Sequence, residues 1–547
     1  MPTLFASNQS LTCYLRLIFV FLLLLVEIIS LTGLFDFHVE ELKNSENTFI
    51  RLSSFASSLL KFLVSFVAAF FLLISPRILD IFQSLKNTEH NWTKWLVIQL
   101  LTFALLVLYT SLILPDSSSN IIPSFGLSLN QESKWFVVWF ALAGFTFLSW
   151  LLTFAPKSFW IQLFLSEYRA MLMAILTATI IWLAVLMSDK LGGPVADISI
   201  KFASEILRWF YSDVSYDFVY KTLGLKSFEI EISPGCSGYE GMVMITVFTS
   251  LYIWLFHKHL KFPHVFLLFP VGIVAIWIAN LIRIVSMIIF GEYVSRNIAM
   301  GGLHSQAGWI NFTLIAIALI TLAHFIFARK KTNRKISLTP SLNTALLIPF
   351  LVMMGLLMIS SALSAGFETF YPLRIGICAA VLWYCRPAYR TLNWGWSWQA
   401  VMIGVAVFIM WILLEPSTTD KSNSLPDHLS KLSNWFMITW LFFRVMGSVI
   451  VIPIVEEFAF RGYLLRYFIP DFEKSSVVHF TWISFIVSSV MFGLMHGRWV
   501  AGILAGMAFA IALYRRGYLS DAIVAHGVAN ALIAANVLLF DQWSLWE

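Results

Sequence analysis

The chain has 547 residues, of which 59% are hydrophobic and only 12% charged. Soluble domains carry about a quarter charged residues, so this composition excludes a water-soluble globular protein and requires an apolar solvent. The net charge of +6 reads as lysine and arginine in the cytoplasmic loops of a membrane protein, and no nucleic-acid partner is expected.

Apolar runs of roughly 20 residues recur along the whole length, with no strand-like alternation. They predict an all-α, polytopic helical membrane protein with about 14–15 transmembrane segments in two modules. The expected spans of the first module are 14–34, 55–75, 94–114, 134–154, 169–187, 239–256, 264–290 and 307–327. The first is too long for a typical signal segment and reads as a span. A basic linker, 331–342, follows in ARKKTNRK and ISLTPSLN. The second module, 343–547, has expected spans at 344–364, 369–386, 398–414, 435–455, 480–497, 500–514 and 520–540.

Lysine and arginine mark cytoplasmic loops. The linker cations put that segment inside, and counting back places the loop with Lys258 and Lys261 inside too. The loops with Lys157 and Arg169, and with Arg77 and Lys86, follow. Pro115–Ser133, free of both residue types, falls outside, as does Ser188–Gly235. Within the latter, Ile198–Tyr211 has helical apolar spacing and reads as an interfacial helix.

This count gathers three polar groups at one membrane face. Cys236, in SPGCSGYEG, starts one span. Asn280 and Arg283, in IANLIRIVS, end the next. His304, in GGLHSQAGW, precedes the third. A thiolate is a strong nucleophile, a histidine can take its proton, and an arginine can bind an oxyanion. Arginine inside a span costs about 2.5–3.5 kcal/mol unless paired or hydrated. Singly, each has a plain structural reading: a turn cysteine, a snorkelling arginine, a loop histidine.

PGCSGYEG, NLIR and GGLHSQAG together resemble the motifs of the exosortase/archaeosortase family. The resemblance covers residues 1–330 and implies a membrane cysteine transpeptidase or protease. It implies cleavage of C-terminal sorting signals of PEP-CTERM type on exported proteins, with the new carboxyl end passed to an acceptor. It makes Cys236 the nucleophile, His304 the proton shuttle and Arg283 the oxyanion stabiliser, with Asn280 supporting.

The second module carries IPIVEEFAFRGYLLR, FGLMHG and HGVAN. Glu456 and Glu457 point about 100° apart on a helix, so one can do chemistry while the other pairs. Arg461 is four residues beyond Glu457, the spacing of an ion pair. His526 and Asn530 share one helical face. A carboxylate beside a histidine can deprotonate water, and a second histidine with an asparagine can bind an oxyanion. Glutamate and histidine also ligate zinc, so a metal at Glu456, His496 and His526 stays open, although no cofactor is expected. The structural alternative is a network that only holds helices together.

EEFAFR, FGLMH and HGVAN resemble the EExxxR, FxxxH and HxxxN motifs of the CPBP (CAAX protease-like) intramembrane proteases. The resemblance covers residues 340–547. It implies Glu456 and His496 as water activators, His526 and Asn530 as oxyanion donors, and Glu457 and Arg461 as supports. The order of modules resembles the exosortase E/protease type, which goes with a VPEID-CTERM signal. The expected setting is a bacterial inner membrane, with the cysteine site on the periplasmic face. Glu456 falls near the cytoplasmic end of its expected span, so the second site opens inward or lies within the bilayer. Other readings are that only the second module cleaves while the first docks substrate, or that the chain is a non-catalytic scaffold or transporter. Elsewhere, Cys378 and Cys385 read as core packing, Glu27 and Arg444 as structural charges without an evident partner, and His257 and His259 as a solvated cluster.

Overall fold

The computed structural model describes residues 62–86, 90–113, 133–328, 340–364, 367–414, 424–467 and 480–546, with eight residues between 16 and 30. The expected span 14–34, the loop Pro115–Ser133 and the basic linker 331–342 fall largely outside the described residues, as does Cys13. Among the described residues, ten helices are long and apolar enough to cross a membrane, and three shorter helices are apolar. The chain is a polytopic helical membrane protein.

Contacts divide the chain into two units. The first comprises Met1–Ser188 with Ser250–Leu255. Its helices are α1 (Phe62–Ile74), α2 (Ile78–Lys86), α3 (Trp92–Ile113), α4 (Ser133–Phe154) and α5 (Lys157–Leu186). Lipid leaves polar groups no water to bond, and this unit satisfies them internally. Gln99 Nε2 donates to Glu27 Oε2 at 2.7 Å, and Ser149 donates to Gln99 Oε1. Glu27 therefore does have a partner, seventy-two residues away and invisible to local spacing.

The second unit is Asp189–Thr249 with Phe256–Glu547, and it holds every candidate site residue. It begins with α6 (Ser188–Arg208) and a three-stranded antiparallel meander: β1 (Ser215–Asp217), β2 (Thr222–Leu225) and β3 (Phe228–Glu231). Leu223 pairs with Ile230 in register. A helix does form over most of the expected Ile198–Tyr211 stretch, beginning earlier at Ser188 and ending at Arg208. The small sheet is an addition, because strands of three or four residues give too short an alternation to read. Ala196, Ile200, Ala203 and Leu207 of α6 pack with Leu223, Phe228 and Ile230 into one apolar cluster.

The helices that follow are α7 (Tyr239–Phe256), α8 (Leu268–Tyr293), α9 (His304–Ile326), α10 (Leu342–Ala362), α11 (Tyr371–Tyr389), α12 (Trp398–Leu413) and α13 (Ser424–Ser430). Then come α14 (Asn434–Tyr467), α15 (Trp482–Leu494), α16 (Trp499–Arg516) and α17 (Leu519–Phe540). Helix α11 occupies an expected span but carries Arg374 and Arg386. Arg374 is buried and makes a two-pronged pair with Glu368 at 2.9 and 3.0 Å. Helix α14 contains two wider π-turns, Gly447–Val451 and Phe458–Leu464. Such turns are frequent at functional sites.

Small residues let these helices touch closely. A Cβ on Gly404 would lie 2.5 Å from the Ala525 carbonyl oxygen, whereas one on Gly355 meets nothing within 4 Å. Gly404→Ala is therefore expected to destabilise the detergent-solubilised protein by about 1–3 kcal/mol, read as a lower thermal midpoint. Gly355→Ala is expected to leave the midpoint unchanged.

Candidate active sites

The first site is assembled from α7, α8, α9 and the turn before them. Pro234 starts a short 3₁₀ turn through Cys236, and the Ser237 hydroxyl closes it on the Pro234 carbonyl at 2.6 Å. Gly238 then adopts φ +96°, a region open to glycine. A Cβ there would sit 3.1 Å from Asn280 Nδ2. Asn280 uses that nitrogen to donate to the Cys236 carbonyl at 3.0 Å. Arg283 reaches the Asn280 side-chain oxygen at 3.5 Å and donates to the His304 carbonyl. Thus one bonded chain links Cys236, Asn280, Arg283 and His304 across three helices. From the other side, Trp277 donates to Ser199 Oγ at 3.1 Å, and Ser199 donates to the Ser237 carbonyl at 3.0 Å. Helix α6 thereby clamps the cysteine turn.

A cavity of about 200 Å³ lies beside this chain, lined by Gly235, Gly238, Glu240, Asn280, Arg283 and Ser305. Cys236 and His304 adjoin the cavity in sequence, next to Gly235 and Ser305, but do not line it; Cys236 packs instead against the apolar cluster of α6 and the sheet. Among the described residues, Arg283 Nε is buried without a hydrogen-bond partner. Sequence reasoning missed Glu240 and Ser305. Glu240 follows Cys236 by four residues, a helical spacing that could have flagged it.

The second site centres on α14. Glu457 and Arg461 form a fully buried ion pair at 3.0 Å. Arg461 also donates to the Gly506 carbonyl at 2.8 Å and lies over the Phe492 ring at 4.3 Å. The same Glu457 oxygen faces His526 Nδ1 at 3.0 Å. The His526 ring stacks on Phe509, and its Nε2 lies 3.9 Å from Glu456 Oε2. That gap suits a water about 2.8 Å from each. Among the described residues, Glu456 Oε2 has no hydrogen-bond partner.

The two histidines are held differently. His496 Nδ1 faces the Phe492 carbonyl at 2.8 Å. A carbonyl only accepts, so Nδ1 carries the proton and Nε2 is left as an acceptor. His526 instead faces two carboxylates, Glu457 at Nδ1 and Glu456 across from Nε2. Asn530 donates to the Ser448 carbonyl at 2.8 Å.

Arg444, Ser448, Ile452 and Glu456, spaced four apart, line one wall of a cavity of about 250 Å³; His496, His526 and Asn530 complete it. Trp546 also lines it, and its carbonyl accepts from Arg444 at 2.9 Å. Arg444 also stacks on Tyr371, its ring centroid at 4.9 Å. Arg444 therefore has partners and borders the cavity, which local spacing did not reveal. The cavity runs from Glu456 toward the N-terminal half of α14. Counting on a span of 435–455 put Glu456 at a span end; the helix continues to Tyr467, so Glu456 lies inside it. Among the described residues, no group of three His, Cys, Asp or Glu side chains is placed to hold a metal ion.

Comparison with known proteins divides along the same two sites. Residues 56–321 match the transmembrane exosortase family, and residues 438–532 match the type II CAAX prenyl endopeptidase Rce1-like family. The chain joins an exosortase module to a CAAX protease module. At family level it is a membrane peptidase. The UPF0177 protein YbdI of Lactococcus lactis subsp. lactis (strain IL1403) is 24% identical over 173 residues, covering 30% of this chain and 87% of that protein. No solved structure matches.

In the protease module, Glu457 and Arg461 neutralise each other in the bilayer. Arg461→Met leaves Glu457 buried beside Glu456 and should cost about 3–5 kcal/mol. The double change Glu457→Gln with Arg461→Met should recover part of that loss. Thermal midpoints of the purified protein check both.

Proposed function

We propose that the chain is a two-site membrane peptidase of an inner membrane. Residues 1–330 act as a cysteine transpeptidase on exported proteins with C-terminal sorting signals of PEP-CTERM (VPEID-CTERM) type. Residues 331–342 form a cytoplasmic linker, and residues 343–547 act as a glutamate-type endopeptidase. The observation that carries the reading is the bonded chain from the Cys236 carbonyl through Asn280 and Arg283 to His304. That bonded chain runs through the backbone carbonyls of Cys236 and His304, and together with the exosortase match it supports the reading.

Cys236 Sγ adds to the scissile carbonyl carbon as His304 takes the thiol proton. Arg283 stabilises the oxyanion. The C–N bond breaks, His304 returns the proton to the leaving amine, and a thioester remains on Cys236. An acceptor amine or water then attacks the thioester and frees the thiol. Asn280 is a positioning residue that holds the turn and orients Arg283.

In the second site, Glu456 and His496 take a proton from water. The water oxygen adds to the carbonyl carbon, and His526 and Asn530 donate to the oxyanion. Glu457 is a positioning residue for His526, and Arg461 for Glu457. The chemistry as written uses no metal or other cofactor. The outward placement of the cysteine site is supported by cations at the opposite helix ends, including Lys258, Lys261, Arg386, Arg390, Arg515 and Arg516.

Co-expression with an exported protein bearing such a signal tests the thiol step. Cys236→Ala should abolish release of the mature protein, read by its mass; undiminished release would sink this reading. Removal of one oxyanion donor, Asn530→Ala, should slow the second hydrolysis about 10²–10³-fold. Treating isolated membranes with a strong zinc chelator should leave both product yields unchanged.

A further inference from the structure

We infer that the two active-site cavities open at the same membrane face, so that the protease module takes as substrate the membrane remnant left by the exosortase module. This rests on the thiol cleavage proposed above.

The packing of the second unit carries the inference. In the exosortase module, α7 and α9 both start beside the Asn280–Arg283 stretch of α8. Gly238 lies against Asn280 and Gly241 against Ile276, so α7 and α8 run antiparallel. Asn311 donates to the Ala279 carbonyl, and Arg283 reaches His304, so α8 and α9 do too. The first cavity is lined by residues at this end: Gly235, Glu240 and Ser305. The same end then passes into the protease module. A Cβ on Gly302 would collide with the Ala362 carbonyl, which places the C-terminal end of α10 against the start of α9. The chain turns at once into α11. Trp440 of α14 donates to the Glu368 carbonyl at 2.9 Å, and a Cβ on Gly447 would lie 2.5 Å from the Tyr371 hydroxyl. Arg444, which lines the second cavity at its end nearest the start of α14, stacks on that same Tyr371 and holds the Trp546 carbonyl. Trp411 at the end of α12 packs on His496.

The other end is filled by packed side chains and backbone. Tyr389 donates to the Ala345 carbonyl at 2.8 Å, and Gly462 lies against Leu346 and Leu519. Gly395 pairs with Ser520 there. Beneath His526, Phe492, Phe509 and the Arg461–Gly506 contact fill the space between Glu456 and that end. A substrate thus enters the second cavity from the face at which Cys236 sits.

The sequence of reactions follows. The thiol step breaks the peptide bond at the shared face and leaves a membrane segment whose new amine lies there. The glutamate site then hydrolyses a peptide bond near that end. Water supplies the oxygen to the carbonyl carbon, the C–N bond breaks, and the leaving nitrogen takes the proton, giving a carboxylate and an amine.

Two arms test this. In the full chain with Cys13 and Cys236 replaced by alanine and the buried Cys378 and Cys385 kept, one cysteine at a time is added at exposed Asn297, Lys431 or Arg515, with the parent lacking any added cysteine as the background. They are probed in spheroplasts with a membrane-impermeant maleimide. Asn297→Cys and Lys431→Cys should label alike before permeabilisation, and Arg515→Cys only after it. Labelling of Asn297→Cys and Lys431→Cys from opposite sides overturns the inference. Labelling of both only after permeabilisation keeps the shared face and instead overturns the outward placement under the proposed function. In the second arm, Glu456→Gln cells expressing a signal-bearing substrate should keep a full-length membrane remnant that the unaltered chain shortens. Release of the mature protein by the same cells shows that the variant is folded. A remnant of equal length in both overturns the inference.

Discussion

Glu457 and Arg461 are both fully buried and 3.0 Å apart. In lipid, an unpaired charge at that depth costs several kcal/mol, so each is tolerable only with the other. Much else in the protease module depends on this pair. It fixes the rotation of α14, which turns Glu456 into the cavity. It supplies the carboxylate that holds His526 Nδ1, 69 residues away. It ties α14 to α16 through the Gly506 carbonyl. The charge that would be the module's greatest liability is thereby what aligns three of its helices.

The exosortase module solves a similar problem with neutral groups. Arg283 spends its donors on the Asn280 side chain and the His304 carbonyl. Asn280 in turn holds the Cys236 carbonyl. A cationic side chain kept in place by acceptors that carry no full charge retains its own charge for an oxyanion. In the protease module the arginine is neutralised by Glu457, and the unpaired oxygen belongs to Glu456. The two sites so hold opposite resources, a cation in one and a carboxylate in the other, which suits a nucleophilic thiol and an activated water.

That the chain is helical and crosses the membrane many times was legible in the sequence because lipid demands long apolar runs; the count was not, since 14–15 spans were expected and ten helices among the described residues are long and apolar enough. The divergence of Glu456 from Glu457 and the i, i+4 spacing of Arg461 were legible because helix geometry is fixed. Counting spans led one to expect Cys236, Asn280, Arg283 and His304 near one another, and hydrogen bonds do join them through Asn280 and Arg283. What escaped was set by tertiary contact. No spacing rule links His526 to Glu457, Arg444 to Tyr371, or Gln99 to Glu27. The sheet of β1–β3 is too short to show a period. The cavity's direction depended on how far α14 runs, and its π-turns and length to Tyr467 carry no compositional mark.

The thioester on Cys236 is the central claim, and its capture tests the account most directly. The measurement is the mass of the Cys236-containing peptide after membranes are mixed with a signal-bearing substrate and quenched in acid. The account predicts an added mass equal to the acyl part of the cleaved substrate, lost on treatment with hydroxylamine. Substrate cleavage at the normal rate, with Cys236 unmodified throughout the time course, would contradict it.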